Sequence, residues 1–585
     1  MVKLFRYLNP KQWVQAAVSL LVIFVQVYLD LKLPEYMSQI TTLVQTPGSS
    51  LQDVWLTGGM MLLCAVGSVV CAFIIGYFSA KITASFSKEL RSRLFHKVDS
   101  FSMEEINQFS TASLITRSTN DITQVELLLG MLLSMVVRAP ITIVWALLKI
   151  VDKGTAWTAV TLLDAIVMAL VLVGIILVLN PIFTKIQGMT DNLNSLTREN
   201  LQGLRVIRAY NAEQYQEDKF EVSNQALTNA NLTTMRAMAL MNPAMNVLVN
   251  VLGVALYWIG AVMINGASMS DRVLIFSDTV SFVFYSLQIL MAFMNLSMTF
   301  FFLPRARVSA KRINEVLDTH SNITFGSKTE GKPGVKGKIE FRNVGFRYPD
   351  ASEPVLQNIS FTVNQGETIA FIGSTGSGKS TLINLVPRFF DATEGNILLD
   401  DVDIRDYEEH ALYNKLGYVP QKAVMFKGTV ESNVAFGDNG HTTTEENVKQ
   451  AVAIAQSADF VEKMEGGYQA EVAQGGTNLS GGQKQRLSIA RAIHRRPEIY
   501  IFDDSFSALD YKTDRILRRA LKKETAGVTS MIVAQRVGTI MDADKIVVLD
   551  EGKMVGIGTH KELLKSCPVY REIAENQLSK EELDA

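Results

Sequence analysis

Two stretches of this chain, 55–80 and 237–270, contain no charged residue at all. A helix needs about 20 apolar residues to cross the hydrocarbon of a bilayer. Six runs reach that length: 13–35, 55–80, 131–151, 157–183, 237–265 and 274–303. Core helices of soluble proteins can also be apolar, but six such runs in the first half of 585 residues point to a membrane domain. No short apolar run with a small-residue cleavage site opens the chain, so the first span is expected to stay in the protein. Charged residues make up only 19% of the whole, against about 25% in soluble domains. Net charge is −2, which excludes a strongly basic nucleic-acid binder. Three cysteines make no disulfide framework and the six histidines show no zinc spacing.

Loop charges orient the spans. The gap 81–130 holds Lys81, Lys88, Arg91, Arg93, Lys97 and Arg117, and the gap 184–236 holds Lys185, Arg198, Arg205, Arg208, Lys219 and Arg236. The alternate gaps are short and nearly free of positive charge, with none in 36–54, only Lys153 in 152–156 and only Arg272 in 266–272. The excess of Lys and Arg on one side puts the N-terminus, both long gaps and everything after Arg305 in the cytoplasm. Both long gaps have helical periodicity and little Gly or Pro. They are expected to be helical extensions reaching some 30–40 Å below the membrane. Residues 1–12, with Lys3, Arg6 and Lys11 among Leu4, Phe5 and Leu8, suit a short helix lying on the cytoplasmic face.

After Arg305 the composition changes. A polar stretch with Gly326, Gly331, Pro333 and Gly334 reads as a linker over 321–336. The domains expected are therefore 1–320 in the membrane and 337–585 outside it. From Gly337, strand and helix patterns alternate, which predicts an α/β domain. The apolar run "TIAFIG" feeds Gly373, Ser374, Thr375, Gly376, Ser377, Gly378, Lys379, Ser380 and Thr381, followed by a helical pattern. This is G-x-x-x-x-G-K-S between a strand and a helix. Its backbone N–H groups and the helix N-terminus cradle phosphate. Lys379 reaches the β- and γ-phosphates of ATP, and the Ser380 hydroxyl suits Mg²⁺. "EIYIFDD" brings Asp503 out at the end of a second buried strand, where it can hold the same Mg²⁺ through water. Leu479, Ser480, Gly481, Gly482 and Gln483 then lead into another helical pattern.

Together these elements resemble the ABC transporter family, exporter type, over nearly the whole chain. Residues 479–483 read LSGGQ, like the family's signature motif. Tyr348 matches the aromatic residue that stacks on adenine, Gln421 the Q-loop glutamine that also faces Mg²⁺, and Ser507, Ala508, Leu509 and Asp510 the D-loop. Residues 114–122 and 204–220 resemble the intracellular loops of exporters. The resemblance implies six membrane helices fused to one P-loop ATPase domain. It also implies a dimer in which ATP lies between one subunit's P-loop and the other's signature.

Two positions depart from the pattern. Asp504 stands where the family's hydrolytic members have the Glu that polarises attacking water. Gln535 stands where they have the switch His. A carboxylate drawn back by one C–C bond serves poorly, because catalysis is sensitive to about 1 Å of misplacement. Glutamine cannot carry the proton chemistry of an imidazole. Residues 470–476 also differ from the family's usual stretch before the signature. The pattern resembles the degenerate-site subunits of bacterial heterodimeric multidrug exporters, with a second half-transporter supplying the Glu and His. The alternatives are a homodimeric lipid or peptide exporter and a nucleotide-sensing subunit that does not pump.

The sixth span is rich in flexible and flat side chains: Phe282, Phe284, Tyr285, Met291, Phe293, Met294, Met298, Phe300, Phe301 and Phe302. Such surfaces suit promiscuous amphipathic cargo, and packing and lipid contact use them too. Phe284, Gln288 and Met291 fall on one helical face, the expected cavity wall. Arg138 and Asp164 are charges inside spans. Arg138, beside Pro140, reads as a structural anchor. Asp164 reads either as paired to another residue or as facing an aqueous cavity and cationic cargo.

Overall fold

The computed structural model describes residues 2–46, 48–151, 155–349, 351–438, 440, 442–524, 526–579 and 583. Lys153 lies outside them, and so do the side chains of Met298, Phe300 and Phe301. The chain forms two compact units, one of Met1–Ser100 with Phe109–Thr319 and one of Phe101–Gln108 with His320–Ala585.

The first unit is helical throughout. Its long helices are α1 (Pro10–Gln45), α2 (Leu51–Asp99), α3 (Thr111–Val151), α4 (Thr155–Ala209), α5 (Glu213–Gly266) and α6 (Met269–Asp318). Among the described residues, α1, α2, α3, α5 and the Asp271–Leu296 part of α6 are long and apolar enough to span a bilayer. The described apolar stretch of α4, Trp157–Val171, is shorter. α2 runs for 49 residues and α4 for 55, far beyond the roughly 20 that a bilayer needs. The charged gaps of the sequence are therefore continuations of the spans themselves. They run about 30–40 Å past them by helix rise. The helices start where local chemistry satisfies their free N–H groups. Asn9 and Gln12 close a capping box on α1, and Ser50 Oγ accepts from Asp53 N on α2. Ahead of α1 lies a four-residue helix, Val2–Phe5, whose Leu4 is fully buried and whose Lys3 meets Asp318 at 3.3 Å.

An apolar core joins α1, α3 and α6 through Ile23, Val27, Leu31, Ala146, Phe282, Tyr285 and Ile289. Polar groups fix the register. Ser277, Ser281 and Tyr285 recur every four residues along α6, one stripe facing α1. Thr42 donates to Ser277 Oγ (2.9 Å), Ser281 to Pro34 O (2.9 Å) and Tyr285 to Leu31 O (3.3 Å). Arg138 does anchor α3: its Nη2 meets Asp30 Oδ2 on α1 at 2.8 Å, and Ser68 of α2 donates to the other oxygen at 2.5 Å. Glu35 lies one turn further along α1, between Lys32 and Lys149. Just before Arg138, α3 opens into a wide π turn at Leu132–Val136.

The second unit is built on a ten-stranded sheet. Its strands are β1 (Ile339–Phe346), β2 (Leu356–Val363), β3 (Thr368–Gly373), β4 (Glu394–Leu399), β5 (Val402–Asp403), β6 (Leu416–Val419), β9 (Ile499–Asp503), β10 (Thr529–Val533), β11 (Lys545–Asp550) and β12 (Lys553–Gly558). The spatial order is β5-β4-β1-β2-β12-β11-β3-β10-β9-β6. β7 (Gly428–Thr429) and β8 (Glu471–Val472) make a separate two-stranded ladder. The strands β11, β3, β10, β9 and β6 are parallel neighbours. The continuous apolar runs of β3 and β9 are buried on both faces, as helix-covered parallel strands require. One core lies under the sheet and holds Ile369, Phe371, Leu382 and Ile383. A second, mainly helical, core holds Leu479, Leu487 and Phe502, and a third joins Ile372, Ala534 and Val537 to the C-terminal helices.

The stretch read as a linker lies against this unit. Gly326 N donates to Tyr407 O and Lys332 N to Asp400 O, both at 2.9 Å. The helix Met103–Phe109 enters the unit through buried Glu105, which accepts from Asn322 N at 3.1 Å and from Ser102 N at 2.8 Å.

Candidate functional site

Parallel strands end at the same edge, and ligands in such sheets sit beyond their carboxyl ends. Four neighbouring strands deliver the polar residues here. β3 runs into 373–378, β10 into Ala534 and Gln535, β9 into Asp503 and Asp504, and β6 into Pro420 and Gln421. Register pairs Phe371 with Val533, Val533 with Asp503, and Phe502 with Val419, so these tips stand side by side.

The β3 tip turns into helix α7 (Lys379–Asn384). Gly378 sits at φ +94°, and a Cβ there would lie 2.7 Å from Leu356 Cδ2. The left-handed φ favours glycine, and a side chain there would also have to displace Leu356. Ser374, Thr375 and Gly376 are exposed, and Ser377 is buried. Lys379 Nζ bridges Gly373 O (2.8 Å), Ser374 O (2.7 Å) and Ser377 Oγ (3.3 Å), so the lysine already lies across the mouth of the loop. Burial lowers its pKa, and Asp504 and Asp503 partly restore it. Ser380 Oγ donates to Asp503 Oδ1 at 2.7 Å. This hydroxyl–carboxylate pair is a hard-oxygen donor set of the kind Mg²⁺ takes. Asp503 is 5% and Asp504 7% exposed. Burial raises both pKa values, and the charge of Asp504 raises Asp503 further. Two buried carboxylates beside one lysine fit a cation bound among them. The residues present therefore suit ATP with Mg²⁺, whose charge would draw electron density from the β- and γ-phosphates.

Asp504 is held from every side. Its φ is +46°, and its backbone N–H donates to Val533 O at 3.1 Å. Its Oδ2 accepts from Gln535 Nε2 at 2.8 Å and from Gln421 Nε2 at 3.5 Å. Ser507 Oγ donates to its backbone oxygen at 2.9 Å. The positions that the sequence marked as departures, Asp504 and Gln535, are thus bonded directly to each other. Tyr348 stands edge-on to Phe346 (4.8 Å between ring centres) and Phe390 (5.4 Å), and its hydroxyl meets Thr381 Oγ1 at 3.1 Å. That phenol contact had no signal in the sequence.

The signature lies elsewhere in the unit. Ser480 caps helix α8 (Gly481–His494): its Oγ accepts from Gln483 N at 3.3 Å, and Gln483 Oε1 accepts from Ser480 N at 2.9 Å. Leu479 is rooted in the helical core, whereas α7 is rooted under the sheet. Ser480 and Gly481 are exposed, and a Cβ at Gly481 would meet nothing within 4 Å. Gly482 abuts Ala508 and Leu509 of the D-loop. Asp510 caps the next helix, α9 (Tyr511–Glu524), by accepting from Thr513 N at 3.0 Å. The start of α8 is thus an exposed helix N-terminus, the kind of end that suits an anion.

In the first unit, Phe284 (43% exposed) and Met291 (58% exposed) share a face of α6 with half-buried Gln288. Half-buried Asp164 on α4 makes no hydrogen bond or ion pair with any described residue. Asp30, the partner that Arg138 takes, was missed by the sequence reading. A charge inside the first span was the available signal.

A P-loop, two strand-end carboxylates and an outward-facing signature, in one chain with a bundle of long apolar helices, define a nucleotide-driven membrane transporter. The chain belongs to the ABC transporter family. Residues 13–293 match the ABC transporter transmembrane region and residues 356–507 the ABC transporter domain. An uncharacterized ABC transporter ATP-binding protein of Mycobacterium tuberculosis is 40% identical over 523 residues, covering 89% of this chain and 87% of that protein. An ATP-dependent lipid A-core flippase of Pseudomonas aeruginosa is 32% identical over 505 residues, 86% of this chain and 82% of that one. A solved bacterial Atm1-family ABC exporter with ATP bound superposes with a TM-score of 0.81 at 24% identity, covering 98% of this chain and 100% of that one. The fold is that of an ABC exporter, an ATP-driven multi-pass membrane protein.

Proposed function

We propose that this chain is one half of a heterodimeric exporter. Its own P-loop site binds ATP·Mg²⁺ and turns it over slowly, and its signature completes the productive site on the partner's P-loop. One observation carries this reading: Asp504, in the position of the water-polarising carboxylate, is short and tied to Gln535. A general base must reach a water near the γ-phosphate and pass its proton on. Asp504 is one methylene short of the usual Glu, and the Gln535 amide, though it donates a hydrogen bond, neither takes up nor releases a proton near neutral pH. The exposed, capped Ser480 end of α8 supports the other half of the reading. It keeps the full signature pattern, and Ser480 and Gly481 are exposed.

The same reading puts the ATPase unit in the cytoplasm, on the strength of loop charge, and an amphipathic cargo against Phe284, Gln288 and Met291. Asp164, half-buried without a described partner, favours cationic cargo.

The test restores both groups. Asp504→Glu with Gln535→His, in the purified full chain in lipid, should raise ATPase turnover at least 10-fold. The double variant staying at the level of the unmodified chain would sink the proposal.

The flippase relatives favour a second reading, a homodimeric lipid exporter. It predicts vigorous ATPase from the unmodified chain alone, stimulated by lipid.

A further inference from the structure

The segment that carries Gln535 is held from behind by the C-terminal end of the chain. After β10 the backbone passes Ala534, Gln535 and Arg536 and enters the short helix Val537–Ile540. That helix has no side-chain cap of its own; Arg536 at its N-cap supplies none. Its first N–H would be an orphan donor. Gln577, just past the helix Pro568–Glu575, satisfies it: Val537 N donates to Gln577 Oε1 at 2.8 Å. The other end of the same amide, Gln577 Nε2, donates to Gln535 O at 2.9 Å. One side chain thus grips the backbone on both sides of Arg536. Its neighbour Leu578 packs against the third core, which holds Ala534, Val537 and Ile372, and Ile372 belongs to β3, the strand that leads into the P-loop. Gln535 in turn holds Asp504 at 2.8 Å.

We propose that Gln577 is a positioning residue for the nucleotide site. It sets the backbone of Gln535 and, through the Gln535 amide, the place of the Asp504 carboxylate. The C-terminal end thereby tunes how the site tells ATP from ADP. With ATP bound, Lys379 and the Ser380–Asp503 pair would serve the β- and γ-phosphates together, whereas Asp504 and Gln535, at the water-polarising and switch positions, would face the γ-phosphate. The clamp should therefore matter when a γ-phosphate is present and little when it is absent. This holds whether the site hydrolyses ATP or only binds it.

The full chain in lipid nanodiscs is titrated calorimetrically with ATP and with ADP, each with Mg²⁺. Gln577 is exposed, so its replacement leaves the core intact. Gln577→Ala should weaken ATP about 3- to 10-fold and ADP less than about twofold, the range of one or two lost hydrogen bonds. Gln577→Glu keeps the acceptor for Val537 N and loses the donor to Gln535 O, so it should lose part of the same discrimination. In a Gln535→Ala background, Gln577→Ala should add nothing, because both act along one chain of contacts. Equal weakening of ATP and ADP would make Gln577 a merely structural prop and overturn the proposal. So would additive losses in the double variant, or no change in either affinity.

Discussion

At Asp504 one missing methylene and one amide meet. The sequence marked both positions because each breaks a pattern. Their contact follows from strand order: β9 and β10 are parallel neighbours, so the residues just past their ends must adjoin. The P-loop and Asp503 stand out in the sequence because phosphate and Mg²⁺ chemistry demands those residue types, and Gln421 and the signature because they resemble the family's motifs. What was not legible is the wiring around them. The clamp of Gln577 on residues 535–537 spans some 40 positions and uses backbone atoms that every residue has. Tyr348 allows a direct test at this scale. It packs edge-on with Phe346 and Phe390 and is the residue expected to stack on adenine. Loss of one aromatic–base stack costs about 1–3 kcal/mol. Tyr348→Ala should therefore weaken ATP binding roughly 5- to 150-fold, read by titration, while Tyr348→Phe, which loses only the Thr381 contact, should stay within about threefold.

Among the elements, the long membrane helices were the easiest to foresee, because a charge-free run has few other places to go. How they lock together was harder, since hydroxyls and single charges carry no periodic signal. Arg138 was foreseen as an anchor, and only the fold shows that Asp30 receives it, with Ser68 donating to the same carboxylate. Removing one member of a buried pair costs about 3–5 kcal/mol and of an exposed pair about 0–1. With Asp30 mostly buried and Arg138 partly open, Arg138→Ala should cost about 2 kcal/mol, seen as a lower melting temperature in detergent. Most of that loss comes from the stranded carboxylate, so Arg138→Ala with Asp30→Ala should recover much of it. A double variant no more stable than the single one would show that the pair does not govern this register. The hydroxyl stripe of α6 is weaker. Interhelical bonds in membranes average about 0.6 kcal/mol, and Tyr285→Phe should cost no more than about 1.

For the whole molecule, the two units differ in what they reveal. The ATPase unit is constrained by the chemistry of phosphate, so its residues are specific. The membrane unit is constrained mainly by hydrocarbon, so the cargo face proposed for it rests on exposure and spacing alone. Asp164→Asn in α4 is the test of that face: export of a cationic dye from cells carrying the assembly should fall severalfold, and export of a neutral one should hold. Equal transport of both by the variant would remove Asp164 from the cargo path.

The central claim is that this chain lends its signature and keeps a weak site. The most direct measurement is ATPase activity of the assembled transporter in lipid, this chain paired with a half-transporter that carries Glu and His at the positions of Asp504 and Gln535. Ser480→Ala here should lower activity at least 10-fold by emptying the partner's site of its donor. The matching serine change in the partner should leave most activity in place. Equal losses from the two changes, or strong activity from this chain without a partner, would contradict the account.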